Sequence, residues 1–127
     1  MPEGFELLEG KTILIVEDEP LIALDLEAAV RDHHGIPLGP VGTLVEAETI
    51  VLSDWPDGAI LDLGLRGASA TQFAERLKSC GVTVVIHSGQ AESSLAPDWP
   101  KRLIVAKPAL PETVIAALVS AMIRSAV

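Results

Sequence analysis

The chain has 127 residues, of which 49% are apolar, with 18 acidic and 9 basic side chains and a formal charge of −9. That is one domain with enough apolar material for a real core, and not a disordered segment. The acidic balance excludes a basic face for direct, non-specific nucleic-acid binding and any electrostatic attraction to an anionic membrane. Plain solubility accounts for it as well as any partner does. The single cysteine, Cys80, rules out an intramolecular disulfide and reads as a small structural residue at the end of a helix.

The N-terminal segment Met1-Pro-Glu-Gly-Phe-Glu6 is acidic and lacks the apolar core of a secretory signal. No apolar run reaches the ~18 residues that a membrane span needs. The expected setting is the cytoplasm. Residues 1–10 read as an N-terminal extension and 11–127 as the domain.

Residues 12–17, β-branched and aliphatic up to the closing Glu17, predict a strand buried on both faces. Pro20 opens a helix to about residue 33, with Leu21, Leu24, Ala28 and Val30 on its inner stripe and Gly35 ending it. Residues 36–41 make a weak strand; Pro37 and Pro40 place it at an edge. Thr43 caps a second helix to about residue 52, and Glu46, three positions on, completes a capping-box pattern. Asp54 to Gly58 is a turn, and 59–63 a short central strand.

After a loop at 64–67, Phe73 and Leu77 mark one face of a helix over 71–80. A strand follows over 82–87. Residues 90–101 carry Pro97 and Pro100 and allow one or two helical turns at most, so a fourth helix is expected to be short or irregular. Residues 102–106 are the fifth strand, and Pro111 opens a last helix to about 124. Trp55 and Trp99, each before a proline, read as surface plugs. His33 and His34 suit the negative end of their helix, and His87 faces away from Ser88, under a helix.

Strands alternating with helices imply a doubly wound parallel sheet, whose ligands bind beyond the C-terminal strand ends. Glu17, Asp18, Asp62, Ser88 and Lys107 all fall at such ends. Two like charges at ~4 Å repel by about 4 kcal/mol near a surface, so three clustered acids call for a divalent cation. Each residue alone has a bland reading: Asp62 as a turn or cap, Lys107 as a surface lysine, Ser88 as a turn residue. Their common rim is what points to function.

The segments Ile13-Leu-Ile-Val-Glu-Asp-Glu-Pro20, Ala59-Ile-Leu-Asp-Leu-Gly-Leu65, Ser88-Gly89 and Ala106-Lys-Pro108 together resemble the receiver domain of two-component response regulators. The similarity runs from about residue 11 to 122, with the motifs in the family's order. It implies a flavodoxin-like (βα)5 fold with strand order 2-1-3-4-5. It also implies Mg²⁺-dependent transfer of a phosphoryl group onto an aspartate from a histidine kinase or phosphotransfer protein. By position, Asp62 is the phosphoacceptor, Asp18 a direct metal ligand and Glu17 one through water, and Gly64 offers its carbonyl. Ser88 and Lys107 hold the phosphoryl oxygens, and the Lys107–Pro108 bond is cis.

Two departures stand out. The family's aromatic residue on the fifth strand is Ile104 here, which leaves the usual switching rotation without its side chain. The irregular 90–101 stretch and the Leu65-Arg-Gly67 loop resemble receivers of alphaproteobacterial type. The resemblance implies a stand-alone receiver that signals through a downstream protein partner. The last helix carries Val114, Ile115, Leu118, Val119 and Met122 inward and Ala116, Ala117, Ala121 and Ile123 outward, which suits a homodimer or partner contact. The alternative is a pseudo-receiver that binds without phosphorylation. A phosphatase of the haloacid dehalogenase type needs a second aspartate where Gly64 stands.

Overall fold

The computed structural model describes residues 8–65, 70–89 and 99–126. Strands β1 (Thr12–Val16), β2 (Ile36–Val41), β3 (Gly58–Leu61), β4 (Thr83–Ser88) and β5 (Ile104–Ala106) form one sheet. All neighbours are parallel, in the order β2-β1-β3-β4-β5. Helices α1 (Pro20–Asp32), α2 (Leu44–Ser53), α3 (Thr71–Ser79) and α4 (Pro111–Ala126) connect or follow them. The doubly wound parallel sheet expected from the alternating pattern and the flavodoxin-like strand order implied by the resemblance are both observed. The expected irregular fourth helix lies in 90–98, outside the described residues, as do residues 1–7 and 66–69.

Right-handed crossovers decide the layers. The β1–β2 connection runs opposite to the later ones, so α1 lies on one face with α4, while α2 and α3 cover the other. The sequence of β1, β3 and β4 is apolar on both faces because both faces are covered, and their central residues are fully buried. β2, with Pro37 and Pro40, lies at the edge and stays half-exposed, and Gly39–Pro40 is a cis bond.

Several local expectations are corrected by packing. On α1, Leu21 and Leu24 are exposed and Ala28 faces solvent; the buried stripe is Ala23, Leu26, Ala29 and Val30. The helix is apolar around most of its girth, so the sequence offers two competing stripes, and contact with the sheet selects one. The left-handed residue after α1 is His34 (φ 67°), not Gly35. Gly35 serves close approach instead: a Cβ there would lie 2.8 Å from Val30 Cγ1.

Trp99 is 5% exposed and belongs to the core, with Lys78 Nζ 5.1 Å above its ring, whereas Trp55 is half-exposed. Cys80 is exposed at the end of α3. β5 starts two residues late because Lys101–Leu103 form a 3₁₀ turn, in which the Leu103 amide donates to the Pro100 carbonyl. Leu8, ahead of β1, is completely buried, and its carbonyl accepts from the Lys11 amide. On α4, Ala121 is buried with Val114, Ile115, Leu118 and Val119, which narrows the outer apolar face to Ala116 and Ile123.

Candidate functional site

Register brings the charged residues together. Val16 pairs with Leu61 and Leu61 with Ile86, so β1, β3 and β4 run out side by side. The ladder then continues one residue further: the Asp62 amide donates to the Val16 carbonyl and the Glu17 amide to the Val41 carbonyl. On the other side the Lys107 amide donates to the Ser88 carbonyl at 3.2 Å. The backbone at each position is therefore fixed by the sheet, and only side-chain torsions remain free.

Glu17, Asp18 and Asp62 each place a carboxylate oxygen within 4.8 Å of the others. Glu17 is 3% exposed and Asp62 6%. Lys107 reaches across: its Nζ lies 3.0 Å from Glu17 Oε1 and 3.0 Å from Asp62 Oδ2. The Glu19 amide donates to Glu17 Oε2 at 3.0 Å, and the Gly64 amide to Asp62 Oδ1 at 2.9 Å. Ser88 is buried beside Asp62. The Lys107–Pro108 bond is cis.

The two buried carboxylates differ. Burial pushes Glu17 up, and the Glu19 amide and Lys107 only partly offset it, so its pKa is raised. Burial pushes Asp62 up too, but the Gly64 amide, Lys107 and the Ser88 hydroxyl together outweigh it and hold it below the ordinary aspartate value. Asp62 is thus the group kept as a carboxylate. Burial favours the neutral amine at Lys107, but Asp62 and Glu17 overcome this and raise its pKa.

Three acids and one lysine leave two net negative charges when all are ionised. At the observed separation each acid pair repels by about 3–4 kcal/mol at a surface-like dielectric. A close set of hard carboxylate oxygens with one ammonium already drawn in suits Mg²⁺, which prefers oxygen ligands and retains several waters.

Every site residue singled out in the sequence lies at this rim. The Glu17–Lys107 bond carried no sequence signal, because its partners are 90 residues apart. Nor did the state of His87. It is buried as expected, but neither ring nitrogen has a hydrogen-bond partner. Each unsatisfied buried polar atom costs ~1–3 kcal/mol.

No protein-family model matches the chain. The phyllosphere-induced regulator PhyR of Methylorubrum extorquens is 36% identical over 114 residues, covering 87% of this chain and 43% of that protein. The solution structure of the Erythrobacter litoralis PhyR response regulator REC domain superposes with a TM-score of 0.78 at 29% identity, covering 89% of this chain and 90% of that one. SdrG from Sphingomonas melonis superposes with a TM-score of 0.73 at 35% identity, covering 88% of this chain and 96% of that one. The chain belongs to the response-regulator receiver family. This receiver spans less than half the length of the curated relative it matches. Among the described residues, no helix is long and apolar enough to cross a membrane.

Proposed function

We propose that this receiver accepts a phosphoryl group on Asp62 in a Mg²⁺-dependent reaction and signals through protein contacts. The observation that carries the reading is the state of Asp62: a buried carboxylate held ionised by Lys107, Gly64 and Ser88 beside two further acids. A structural aspartate needs no such company.

The donor is a phosphohistidine on a histidine kinase or phosphotransfer protein. An Asp62 carboxylate oxygen attacks phosphorus, the P–N bond breaks, and the imidazole nitrogen leaves with the bonding pair and takes a proton. The product is an acyl phosphate. Asp18 directly, Glu17 through water, Asp62 itself and the Gly64 carbonyl would hold Mg²⁺. When bound, the ion neutralises the charge that otherwise keeps phosphate and carboxylate apart. Lys107 supplies a fixed positive charge that shifts from the carboxylate to a phosphoryl oxygen. Ser88, buried beside the Asp62 carboxylate, donates its hydroxyl to another phosphoryl oxygen.

Residues 11–127 make the receiver unit and 1–10 its extension, anchored to the core by Leu8. The readout is a protein partner in the cytoplasm. With Ile104 half-buried where the family has an aromatic ring, the signal leaves the site by another route. Self-association through α4 would rest on Ile123, the large apolar side chain left on its outer face.

The test is incubation with Mg²⁺ and acetyl phosphate, followed by assay for a base-labile, hydroxylamine-sensitive phosphate. It should form in the wild-type chain and vanish in Asp62→Asn. No modification, or modification that survives Asp62→Asn, would favour the pseudo-receiver that acts by association alone.

A further inference from the structure

At the end of the sheet away from the acidic rim lies a cleft of about 280 Å³. It exists because β4 outruns β5: the strand starts at Thr83, but its first β5 partner is met three residues later, at the Ile86–Ile104 pair. The 3₁₀ turn Lys101–Leu103 stands where the edge strand would continue, and the C-terminal ends of α3 and α4 close the sides. Val82, Val84 and Leu103 give it apolar walls. Its charged lining is Lys78 from α3, Arg102 from the turn and Arg124 from α4, and among the described residues no acid lines it.

In a chain with 18 acids and 9 bases, that lining runs against the balance. Arg31, Arg76 and Lys107 each hold a carboxylate elsewhere, whereas among the described residues none of the three cleft cations is in an ion pair. Cations in the last turn of a helix ordinarily serve its dipole. That accounts for the choice of residue type at Lys78 and Arg124, but Arg102 stands on no α-helix. The last carbonyls of α3 are also already served, by the amides of Cys80, Gly81 and Val82. The Lys78 ammonium is instead placed by a ring, 5.1 Å above the buried Trp99. Like charges gathered round one small space repel each other, which is the mismatch of the acidic rim with its sign reversed.

We propose that this cleft binds a diphosphate group, either free or at the end of a small organic molecule. Two arginines and a lysine offset the about three negative charges that two linked phosphates carry. The guanidinium forks of Arg102 and Arg124 match phosphate oxygens in pairs, and Lys78 adds a point charge. The volume falls just below the ~300 Å³ at which sites for drug-sized ligands begin, so it takes one compact group. β4 runs from Thr83 at this cleft to Ser88 at the rim, so the two sites occupy opposite ends of the sheet and binding here is independent of phosphorylation at Asp62.

Amide NMR of the full chain, without Mg²⁺ or a phosphodonor, tests this with pyrophosphate, ADP, inorganic phosphate and adenosine. Pyrophosphate and ADP should shift Gly81, Val82, Arg102 and Leu103 saturably, leave Asp18 and Gly64 at the rim unmoved, and bind about threefold to tenfold more tightly than phosphate. Adenosine should not bind. ADP the tighter of the two assigns the group to an organic molecule; pyrophosphate the tighter assigns it to a free polyanion. Arg102→Gln and Arg124→Gln, both at exposed positions, should each weaken pyrophosphate by about threefold to tenfold, while Arg31→Gln, on α1, should not. Shifts that do not saturate or that map to the rim, phosphate binding as tightly as pyrophosphate, or equal losses in Arg102→Gln and Arg31→Gln would overturn the proposal.

Discussion

Lys107 Nζ lies 3.0 Å from Asp62 Oδ2, across 45 residues of sequence, and the same nitrogen lies 3.0 Å from Glu17 Oε1. One cation is shared by two buried carboxylates, and this sharing fixes the sign of the pH dependence at the alkaline end. Burial works against the Lys107 charge, but the two acids raise its folded-state pKa above the ordinary 10.5. A raised pKa contributes stability that is fully present below 10.5 and is lost as pH rises through the folded value. Denaturant unfolding at a series of alkaline pH values should show this loss in the wild-type chain and less of it in Lys107→Met. Equal alkaline slopes in the two would show that the pair contributes nothing.

Glu17 has the opposite relation to neutral pH. Its raised folded pKa means that stability present below the ordinary 4.5 is lost as pH rises through the folded value. At neutral pH the ionised side chain is therefore a net cost to the metal-free fold. Glu17→Gln, a neutral mimic, should raise the denaturation midpoint at neutral pH while weakening Mg²⁺ binding by about 10–100-fold, as for other water-mediated metal partners. A variant that is less stable and binds Mg²⁺ normally would contradict both halves.

Gly58 begins β3 where α4 crosses it. A Cβ at this position would lie 2.6 Å from Met122 Cε and 3.1 Å from Leu118 Cδ1. Gly58→Ala should destabilise by about 1–3 kcal/mol through overpacking. Because the closest atom ends a flexible side chain, Met122→Ala in the same chain should recover part of the loss. Thermal unfolding of the two variants measures this directly.

At the start of α2, the Thr43 hydroxyl accepts from the Glu46 amide at 3.2 Å and donates to Glu46 Oε1 at 2.9 Å. Half of the expected capping box is thus replaced by a side-chain pair. Thr43→Ala removes both bonds and should cost about 1 kcal/mol, and Glu46→Ala less, since the amide keeps its acceptor. Equal losses would mean that the side-chain pair carries the cap.

The sequence alone determined the order of the elements, the parallel sheet and the rim residues. Apolar runs ending in charge at Glu17, Asp62 and Lys107 are a local pattern, and strand periodicity reads locally. The edge position of β2 was legible for the same reason: Pro37 and Pro40 cannot serve a central ladder. What depends on which surface meets which was not legible. The buried stripe of α1, the core placement of Trp99 and the tie from Lys107 to Glu17 were each decided by residues far away in the chain. So was the state of His87, whose hydrogen-bonding need is written in its side chain but whose lack of a partner exists only once α1 and the β5–α4 loop close over it. Periodicity places a residue on a face; burial and pairing are properties of two faces together, and only the tertiary structure brings them into contact.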